Sequence, residues 1–343
     1  MAELNVSLLD VLKFKGLDGR EIINEVIKSN PAVTGNDTMG HSIPVASDTI
    51  SWDSFKGLYR ISNEEVDPFR AINSGAGMSQ GAYETRRFDI TTVTRYFWVD
   101  RALMKRDADA WSKFLTAQCA NGIESVISAL EKQFFYGGQV ANSTPSKYGF
   151  QELQEFIEKD MVFDAGGSGA NLSSAYLVNF NNRNGVTWLF GENGTMEFGD
   201  SIDDDVPDPK DPTKLIPVVR TNFEFYPGFG FLSRYAASRI ANIDITTAFT
   251  VTKNRTAFTD EMITTAIAKW PYGTPNAIIT TKAAGIMLAA SRTVTSIVGA
   301  GSQGADITVQ SGYTTLPHEH NGIPIAYSDV LINKEKRVIG IPA

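Results

Sequence analysis

Apolar residues recur every three or four positions over residues 108–136, which is the clearest periodic pattern in the chain. This spacing predicts one amphipathic helix with a single buried face. Asp107 offers a side-chain acceptor at its start, and Gly137-Gly138 ends it. At 1.5 Å per residue the helix would run roughly 40 Å. The positions predicted for its buried face are Trp111, Phe114, Leu115, Cys119, Ile123, Val126, Ile127, Leu130 and Phe134.

The residues in front of this helix lack the pattern of a self-sufficient core. A short helix is predicted around Glu21–Lys28, and residues 29–49, rich in Pro, Gly, Ser and Asn, predict an extended connector. Residues 50–58 and Phe88–Val99 have strand-like composition. The polar stretch between these two segments predicts a long hairpin with a flexible tip. A chain built as an arm, a hairpin and a spine helix requires neighbouring subunits to complete it.

The residues behind the helix predict a mixture of helices and strands, so the chain as a whole is α+β. Helices are predicted at Phe150–Lys159, 259–270 and 282–292. The predicted strands are 175–180, 185–190, 216–225, 230–245, 275–281, 293–298, 305–310, 323–328 and 336–341. The acidic stretch 195–215, which contains three prolines, predicts a loop.

Composition excludes several classes of protein. Of the 343 residues, 42% are hydrophobic, yet no apolar run approaches the roughly 20 residues that cross a bilayer. Glu3 and Asp10 lie where a signal peptide would carry basic residues, so we expect synthesis in the cytoplasm. The net charge is −8, and residues 1–50 hold four basic against seven acidic residues. This arm is therefore not expected to bind nucleic acid, which requires concentrated positive charge. The single Cys119 predicts a buried structural thiol.

Two glycine motifs resemble catalytic or cofactor-binding patterns without their structural context. Gly77-Met-Ser-Gln-Gly81 matches a hydrolase nucleophile elbow, with His318 and His320 downstream. The elbow needs a strand before Ser79 and a helix after it, and neither is predicted. Gly299-Ala-Gly-Ser-Gln-Gly304 matches a dinucleotide fingerprint, but a strand follows it where the pyrophosphate needs a helix. The favoured interpretations are a loop tip and a hairpin connection.

Two candidate metal sites are equally incomplete. His318 and His320 would need a third zinc ligand, and the one other histidine is the distant His41. His318 and His320 are therefore interpreted as solvated loop residues. Asp203–Asp205 lacks the alternating ligands and the glycine of a calcium loop, and is interpreted as a flexible acidic surface loop. The sequence thus predicts no catalytic, cofactor-binding or metal-binding residue, and a protein that is not an enzyme.

The order of the parts resembles the major capsid proteins of tailed double-stranded DNA bacteriophages, with the Johnson-type (Hong Kong phage) capsid fold. The matching parts are the arm, the hairpin around Asp67–Gly75, the return Trp98–Leu103 and the helix after Asp107. Residues 219–244 also resemble a β-segment of certain short-tailed phages. The resemblance implies an N-terminal arm at 1–49 and an E-loop hairpin at 50–100. It further implies a P domain mainly at 101–200, with spine helix 108–136, and an A domain mainly at 201–343 whose strands return to the P domain.

The function that the resemblance implies is self-assembly into an icosahedral shell around viral double-stranded DNA. Hexamers and pentamers of the chain would form the shell, with a scaffolding protein, a portal and a cement protein as further partners. The DNA would be enclosed without sequence-specific binding, no membrane would be involved, and the protein would end in the virion. Alternatives are an encapsulin-like compartment, a serine hydrolase using Ser79, and a carbohydrate-binding surface protein.

The hairpin supplies the candidates for contacts between subunits. Its polar residues cannot repay their ordering entropy within their own subunit, so they are expected to lie across a neighbour. Arginine side chains bind carboxylates with two parallel hydrogen bonds, which suits such a contact. The candidate contact residues are Arg70, Arg86, Arg87, Glu64 and Glu65.

Overall fold

The computed structural model describes most of the chain behind residue 81 and a smaller part in front of it. The described residues are 28–36, 42–45, 47–49, 54–62, 72, 74–75, 82–106, 108–137, 149–190, 197–208, 210–248, 258–271, 273–292, 295–297, 307–309 and 316–341. The predicted helix around Glu21–Lys28, Ser79 and the helix start at Asp107 therefore lie outside the described elements.

The described helices are few, and one is much longer than the others. They are α1 (Pro31–Thr34), α2 (Arg101–Arg106), α3 (Ala108–Tyr136), α4 (Leu153–Phe156), α5 (Asp260–Ala268) and α6 (Lys282–Ser291), with a 3₁₀ turn at Lys159–Met161. The spine helix α3 has the bounds that the apolar periodicity predicts. The helix predicted at Phe150–Lys159 is wrong, because only one turn at α4 and the 3₁₀ turn form there.

The strands form three sheets and two isolated hairpins. They are β1 (Ser47–Thr49), β2 (Ser54–Ser62), β3 (Ala82–Asp89), β4 (Val93–Asp100), β5 (Val162–Asp164), β6 (Leu172–Val178), β7 (Val186–Phe190), β8 (Glu197–Phe198), β9 (Ile202–Pro207), β10 (Leu215–Phe225), β11 (Pro227–Phe231), β12 (Ala237–Asp244), β13 (Ala277–Thr280), β14 (Thr295–Ile297), β15 (Ile307–Val309), β16 (Glu319–His320) and β17 (Ile323–Tyr327). The strand predicted at 336–341 is wrong, since those residues are irregular.

A six-stranded sheet in the order β16-β17-β13-β6-β12-β5 forms the centre of the fold. Every residue of β6 is buried, which agrees with its position between β12 and β13. A second sheet joins β1, β7 and β11, and a third joins β4 to β10, which also pairs with β8 and β9. Although β6 and β7 follow each other closely, they belong to different sheets, so the turn at 181–184 carries the chain between two layers.

Aromatic side chains connect the C-terminal end of α3 to these layers. Phe134 is fully buried and lies 5.3 Å from the ring of Trp188 and 5.1 Å from that of Phe229. Phe135, also fully buried, lies 4.8 Å from the ring of Tyr176 on the six-stranded sheet. One end of the spine is therefore fixed between two sheets, because aromatic pairs at these distances add to the burial of apolar area.

A buried charged network holds the residues after β17 against the six-stranded sheet. Arg239 on β12 donates to Glu335 at 3.0 Å, and both side chains are at least 90% buried. Tyr136 at the end of α3 donates to the same carboxylate at 2.6 Å, and Ser174 donates to its other oxygen. Because the pair is hydrogen-bonded on all sides, it can be buried without the full cost of desolvation. Burial raises the pKa of Tyr136 well above its usual range.

Candidate assembly surfaces

The ribbon formed by β2 and β3 is the first candidate surface. The two strands pair from Ser54↔Asp89 to Ser62↔Ala82, and neither pairs with a third strand of the described chain. The ribbon is anchored at one end, where the buried Phe88 lies 5.3 Å from the ring of Phe156. A two-stranded hairpin is marginally stable in water by itself. The ribbon therefore offers two strand edges for pairing with another chain.

The described part of the hairpin tip is exposed. Ile72 has 92% of its surface exposed, and the neighbouring Ser74 and Gly75 are exposed as well. A large apolar side chain in this position gains almost no burial from its own subunit. Sequence reasoning treated the tip as polar and did not select Ile72. In the sequence, Ile72 is one of the few large apolar residues of this polar, glycine-rich stretch.

The structure places the backbone of two of the five predicted contact residues. Arg86 and Arg87 lie in β3 opposite Gly57 and Lys56. Consecutive strand positions belong to opposite faces, so positions 86 and 87 lie on the two faces of the ribbon. The other three candidates, Glu64, Glu65 and Arg70, lie outside the described residues. The role of all five in contacts between subunits stays a prediction.

The predicted face of the spine helix is buried along only part of its length. Phe114, Val126, Leu130 and Phe134 are buried, whereas Ile123 and Ile127 are half-buried. The side chains of Trp111 and Leu115 lie outside the described set. The middle of the spine therefore keeps apolar surface available in the single chain.

Cys119 differs from its prediction as a buried thiol. It is half-buried on α3, because its turn of the helix lies outside the aromatic contacts that bury the C-terminal end. Partial burial raises the pKa of this thiol, which keeps it in the less reactive protonated form.

The outer face of the β4–β10–β9 sheet is the second candidate surface. Trp98 and Ile202 lie directly opposite Arg220 on its two sides, so the three form one row across three strands. Trp98 is 36% and Ile202 53% exposed, and the neighbouring Tyr96 is 57% exposed. The Arg220 guanidinium lies 5.3 Å from the centre of the Tyr96 ring, a cation–π distance. Aromatic residues at alternating positions of β4 were the sequence signal for this face.

The interpretation of Asp203–Asp205 as a flexible loop is wrong. These residues lie in β9 and pair with Pro217–Val219 of β10. Asp204 forms an ion pair with Arg220 at 3.1 Å, and Asp203 one with Arg101 at 3.4 Å. The prediction failed because Arg220 on β10 and Arg101 on α2 compensate the charges. In the described chain β9 is an edge strand, and its three carboxylates make that edge acidic.

The interpretation of His320 as a solvated loop residue is also wrong. It is buried, and its Nδ1 lies 2.6 Å from Asp260 Oδ1, while Arg292 donates to both oxygens of the same carboxylate. Partial burial raises the pKa of Asp260, but hydrogen bonds from Arg292 and His320 outweigh it and hold that pKa below its usual range. His318 is exposed. The cluster joins α5, α6 and β16, which gives His320 a structural position.

A groove of about 330 Å³ lies between the start of β4 and the spine helix. Thr91, Thr92, Ser125 and Gln133 are among its lining residues, and Arg95 is the one charged residue among the described walls. These walls carry no pair of groups suited to acid–base or nucleophilic chemistry. Among the described residues no group of three or more His, Cys, Asp or Glu side chains is arranged to hold a metal ion. No helix in the described ranges combines the length and hydropathy that a membrane crossing requires.

One solved structure with the same arrangement of elements defines the class of the fold, and two others match more weakly. A chain in the near-atomic structure of bacteriophage Epsilon15 is 18% identical, with a TM-score of 0.66 and coverage of 99% of each chain. A chain from the capsid of Myoviridae phage XM1 is 8% identical over 64% of this chain and 94% of its own, with a TM-score of 0.41. An encapsulin chain from Synechococcus elongatus is 12% identical over 59% and 86%, with a TM-score of 0.36. The fold is the Johnson-type capsid fold, as predicted.

The comparison with family models identifies the family. The model described as Major capsid protein GP7 matches residues 62–339, which is most of the chain. The chain belongs to this family of bacteriophage major capsid proteins. A comparison with curated protein sequences gives no significant match. The predicted structural role in a phage capsid is thereby confirmed, and it is favoured over the encapsulin and serine hydrolase alternatives.

Proposed function

We propose that copies of this major capsid protein assemble into hexamers and pentamers that close an icosahedral shell around double-stranded viral DNA. The family match and the capsid fold support this proposal. The net charge of −8 suits a container from which packed DNA must leave. The arm at 1–49, the E-loop hairpin at 50–100, the P domain mainly at 101–200 and the A domain mainly at 201–343 are its proposed parts. The pairing of β4 with β10 supports discontinuous domains, since it joins two of these ranges.

The β2–β3 ribbon acts in this proposal as a clamp on the adjacent subunit. The observation that carries it is the ribbon's lack of any third strand within the described chain, together with the exposure of Ile72 at its tip. Strand edges and an exposed apolar tip become stable when they lie across another protein surface. Arg70, Arg86, Arg87, Glu64 and Glu65 would form ion pairs across the contact, each worth about 0–1 kcal/mol when exposed. Because the contacts repeat around the shell, the small free energies of these ion pairs add up to a large total.

The outer face of the β4–β10–β9 sheet is the proposed seat of the neighbour's ribbon. Its row of Trp98, Arg220 and Ile202 supplies apolar area, and its β9 edge supplies Asp203–Asp205. Because Asp203 and Asp204 pair with Arg101 and Arg220 within the subunit, Asp205 is the carboxylate of this edge proposed to meet an arginine of the ribbon. Charge complementarity of this kind fixes the register of two docked surfaces.

The remaining partners follow from the resemblance to tailed-phage capsids. A scaffolding protein would direct assembly in the host cytoplasm, a portal would occupy one vertex, and a cement protein would bind the finished shell. The virion is the proposed final location. This chain would contribute no catalytic step to assembly.

The experiment that tests the clamp shortens the hairpin and leaves its strands intact. Ser62 and Ala82 are the last paired residues, beyond a register shift that follows Arg60, so an Asn-Gly turn in place of residues 63–81 joins the two strands and keeps the pairing from Ser54 to Arg60. We expect the variant to keep the thermal stability of the wild-type subunit but to form no closed shells in negative-stain microscopy and size-exclusion chromatography. Shells formed at wild-type yield by the shortened chain would overturn the clamp.

Charge reversal provides a matched test of the ribbon arginines. Positions 86 and 87 lie on opposite faces, so Arg86→Glu and Arg87→Glu should differ, with the larger loss of shells at the position that faces the neighbour. Arg183→Glu, an equal change at an exposed turn, is the control and should assemble normally. If all three variants assembled normally, Arg86 and Arg87 would have no part in the contact.

A further inference from the structure

The chain segment in front of β1 is fixed to the body through its backbone. The Ser29 N–H donates to Asp329 Oδ2 at 2.9 Å, and the Asp329 N–H donates to the Ser29 carbonyl at 3.1 Å. The Ala32 carbonyl accepts from Trp188 Nε1 at 2.8 Å. We call residues 29–35 the docking segment. The interpretation of 29–49 as an extended connector is wrong here, because this part forms α1 and buries Ala32 completely.

A carboxyl group without hydrogen bonds lies beneath the docking segment. Glu131 on α3 is completely buried, and neither of its oxygens has a hydrogen-bond partner among the described residues. Asn30 donates to Ser128 at 3.3 Å, one turn earlier on the helix, and its own Oδ1 is buried without a partner. An unpaired carboxylate in such a place costs several kcal/mol, so the group is buried in its neutral form.

The surroundings of Glu131 favour the protonated, neutral form of its carboxyl group. The pKa of this carboxyl is raised to about 8, mainly by burial. Ser328 and the Ala32 backbone lie near enough to lower the pKa, although neither makes a well-formed hydrogen bond to the carboxyl, and the negative charge of Asp329 is a smaller cause that raises it.

The charges facing this site come from the loop after β17 and from α6. Lys282 lies 2.8 Å from Asp329 Oδ1, so its ammonium group is paired with Asp329. On the docking segment side, the described basic residue is Lys28, whose side chain is exposed. Within the described residues, no cation is therefore placed to compensate an ionised Glu131.

We propose that Glu131 is a proton-operated latch for the docking segment. With the carboxyl neutral, the docking segment closes over the spine. When the carboxyl loses its proton, the charge needs hydration, and water reaches it when the docking segment lifts. Opening of the docking segment is thus coupled to release of one proton per subunit. This inference does not depend on the clamp, because it concerns another part of the chain.

The difference in the pKa of Glu131 between the closed and open states predicts how steeply the open fraction depends on pH. An exposed glutamate has an ordinary pKa near 4.3, well below that of the closed state. Between these two values each pH unit should raise the open fraction about tenfold. Above pH 8 both states are ionised and the dependence should level off.

Amide hydrogen exchange of the full-length protein measures this opening directly. Protection of residues 29–35, corrected for intrinsic exchange rates, should fall about tenfold per unit between pH 5.5 and 7.5. Glu131→Gln keeps the shape and stays neutral, so its protection should not change with pH. The matched control Glu155→Gln, at an exposed position, should behave as the wild type does.

Two results would overturn the latch. One is wild-type protection of residues 29–35 that does not change with pH, and the other is a Glu131→Gln protein with the wild-type dependence. If Glu131→Gln does not fold, Glu131→Met offers a neutral side chain of similar volume, with the same expected result. Retained tenfold dependence in the methionine variant would equally exclude Glu131 as the titrating group.

Discussion

The six-stranded sheet and the β2–β3 ribbon are both built from paired strands, but different parts of the molecule stabilise them. Strand β6 has a partner on each side, and all seven of its residues are buried. Each ribbon strand has one partner strand in the described chain, and the ribbon contacts the body at its base, where Phe88 packs against Phe156. The sheet satisfies its backbone hydrogen bonds within the subunit, whereas each ribbon strand has one edge that no described strand pairs with. In the proposed function, the sheet is the part of the subunit that folds alone, and the ribbon is the part that assembly would complete.

The largest expected effect is on the side of the comparison that folds alone. Phe134→Ala removes a fully buried ring packed against Trp188 and Phe229. We expect the free energy of unfolding to fall by about 3–5 kcal/mol, measured by chemical denaturation. Ile72→Ala, at the exposed hairpin tip, is the control and should leave stability unchanged. An equal loss in both variants would show that the tip belongs to the core.

The next effect concerns the buried charged network. Arg239→Met leaves Glu335 buried without its cation and should cost about 3 kcal/mol of unfolding free energy in the same measurement. The double variant Arg239→Met/Glu335→Gln removes the isolated charge and should recover most of the loss. A double variant no more stable than Arg239→Met would mean that packing, and not charge, sets the cost.

The pH dependence of stability comes next when its size is taken per pH unit. Glu131 binds its proton more tightly in the folded chain, where its pKa is about 8, than in the unfolded chain. The contribution of this proton to the unfolding free energy is therefore complete below about pH 4.3. It is lost as the pH rises to 8, at up to about 1.4 kcal/mol per pH unit. Comparing unfolding of wild-type and Glu131→Gln proteins at several pH values isolates this contribution. A difference that grows as the pH falls would contradict it.

The smallest expected effect lies where β4 crosses the spine. Gly122 lies within α3, and a Cβ there would overlap the ring of Phe97, which stacks on Phe223 with centroids 6.0 Å apart. Alanine favours helix by about 1 kcal/mol over glycine, but displacing the ring should outweigh this. We expect Gly122→Ala to lower the unfolding free energy by about 1 kcal/mol. Adding Phe97→Leu should reverse the loss, and a stabilised single variant would show that the ring moves without cost.

The parts of the fold that sequence predicts well are those with a strong local signal. The spine helix follows from its apolar period, and the Pro275–Thr281 strand leading into a helix corresponds to β13 and α6. The fold class came from the order of the parts and its resemblance to capsid proteins. These signals are local, or belong to the whole chain, and need no knowledge of which residues meet in space.

The failed predictions depend on contacts between distant residues. Asp203–Asp205 forms a strand because Arg220 and Arg101 compensate its charges, and His320 is buried because it meets Asp260, 60 residues away. The docking segment is held by Asp329 and Trp188, which its own composition cannot indicate. The exposed sheet face and Ile72 become evident once strand register and burial are known.

Hydrogen exchange in unassembled and assembled protein tests the central claim most directly. In the isolated subunit, amides of the ribbon at 54–62 and 82–89 should exchange much faster than those of β12. After assembly into shells, the ribbon amides should become protected, while β12 should stay equally protected in both states. Ribbon amides already as protected as β12 in the isolated subunit would contradict stabilisation of the hairpin by neighbouring copies.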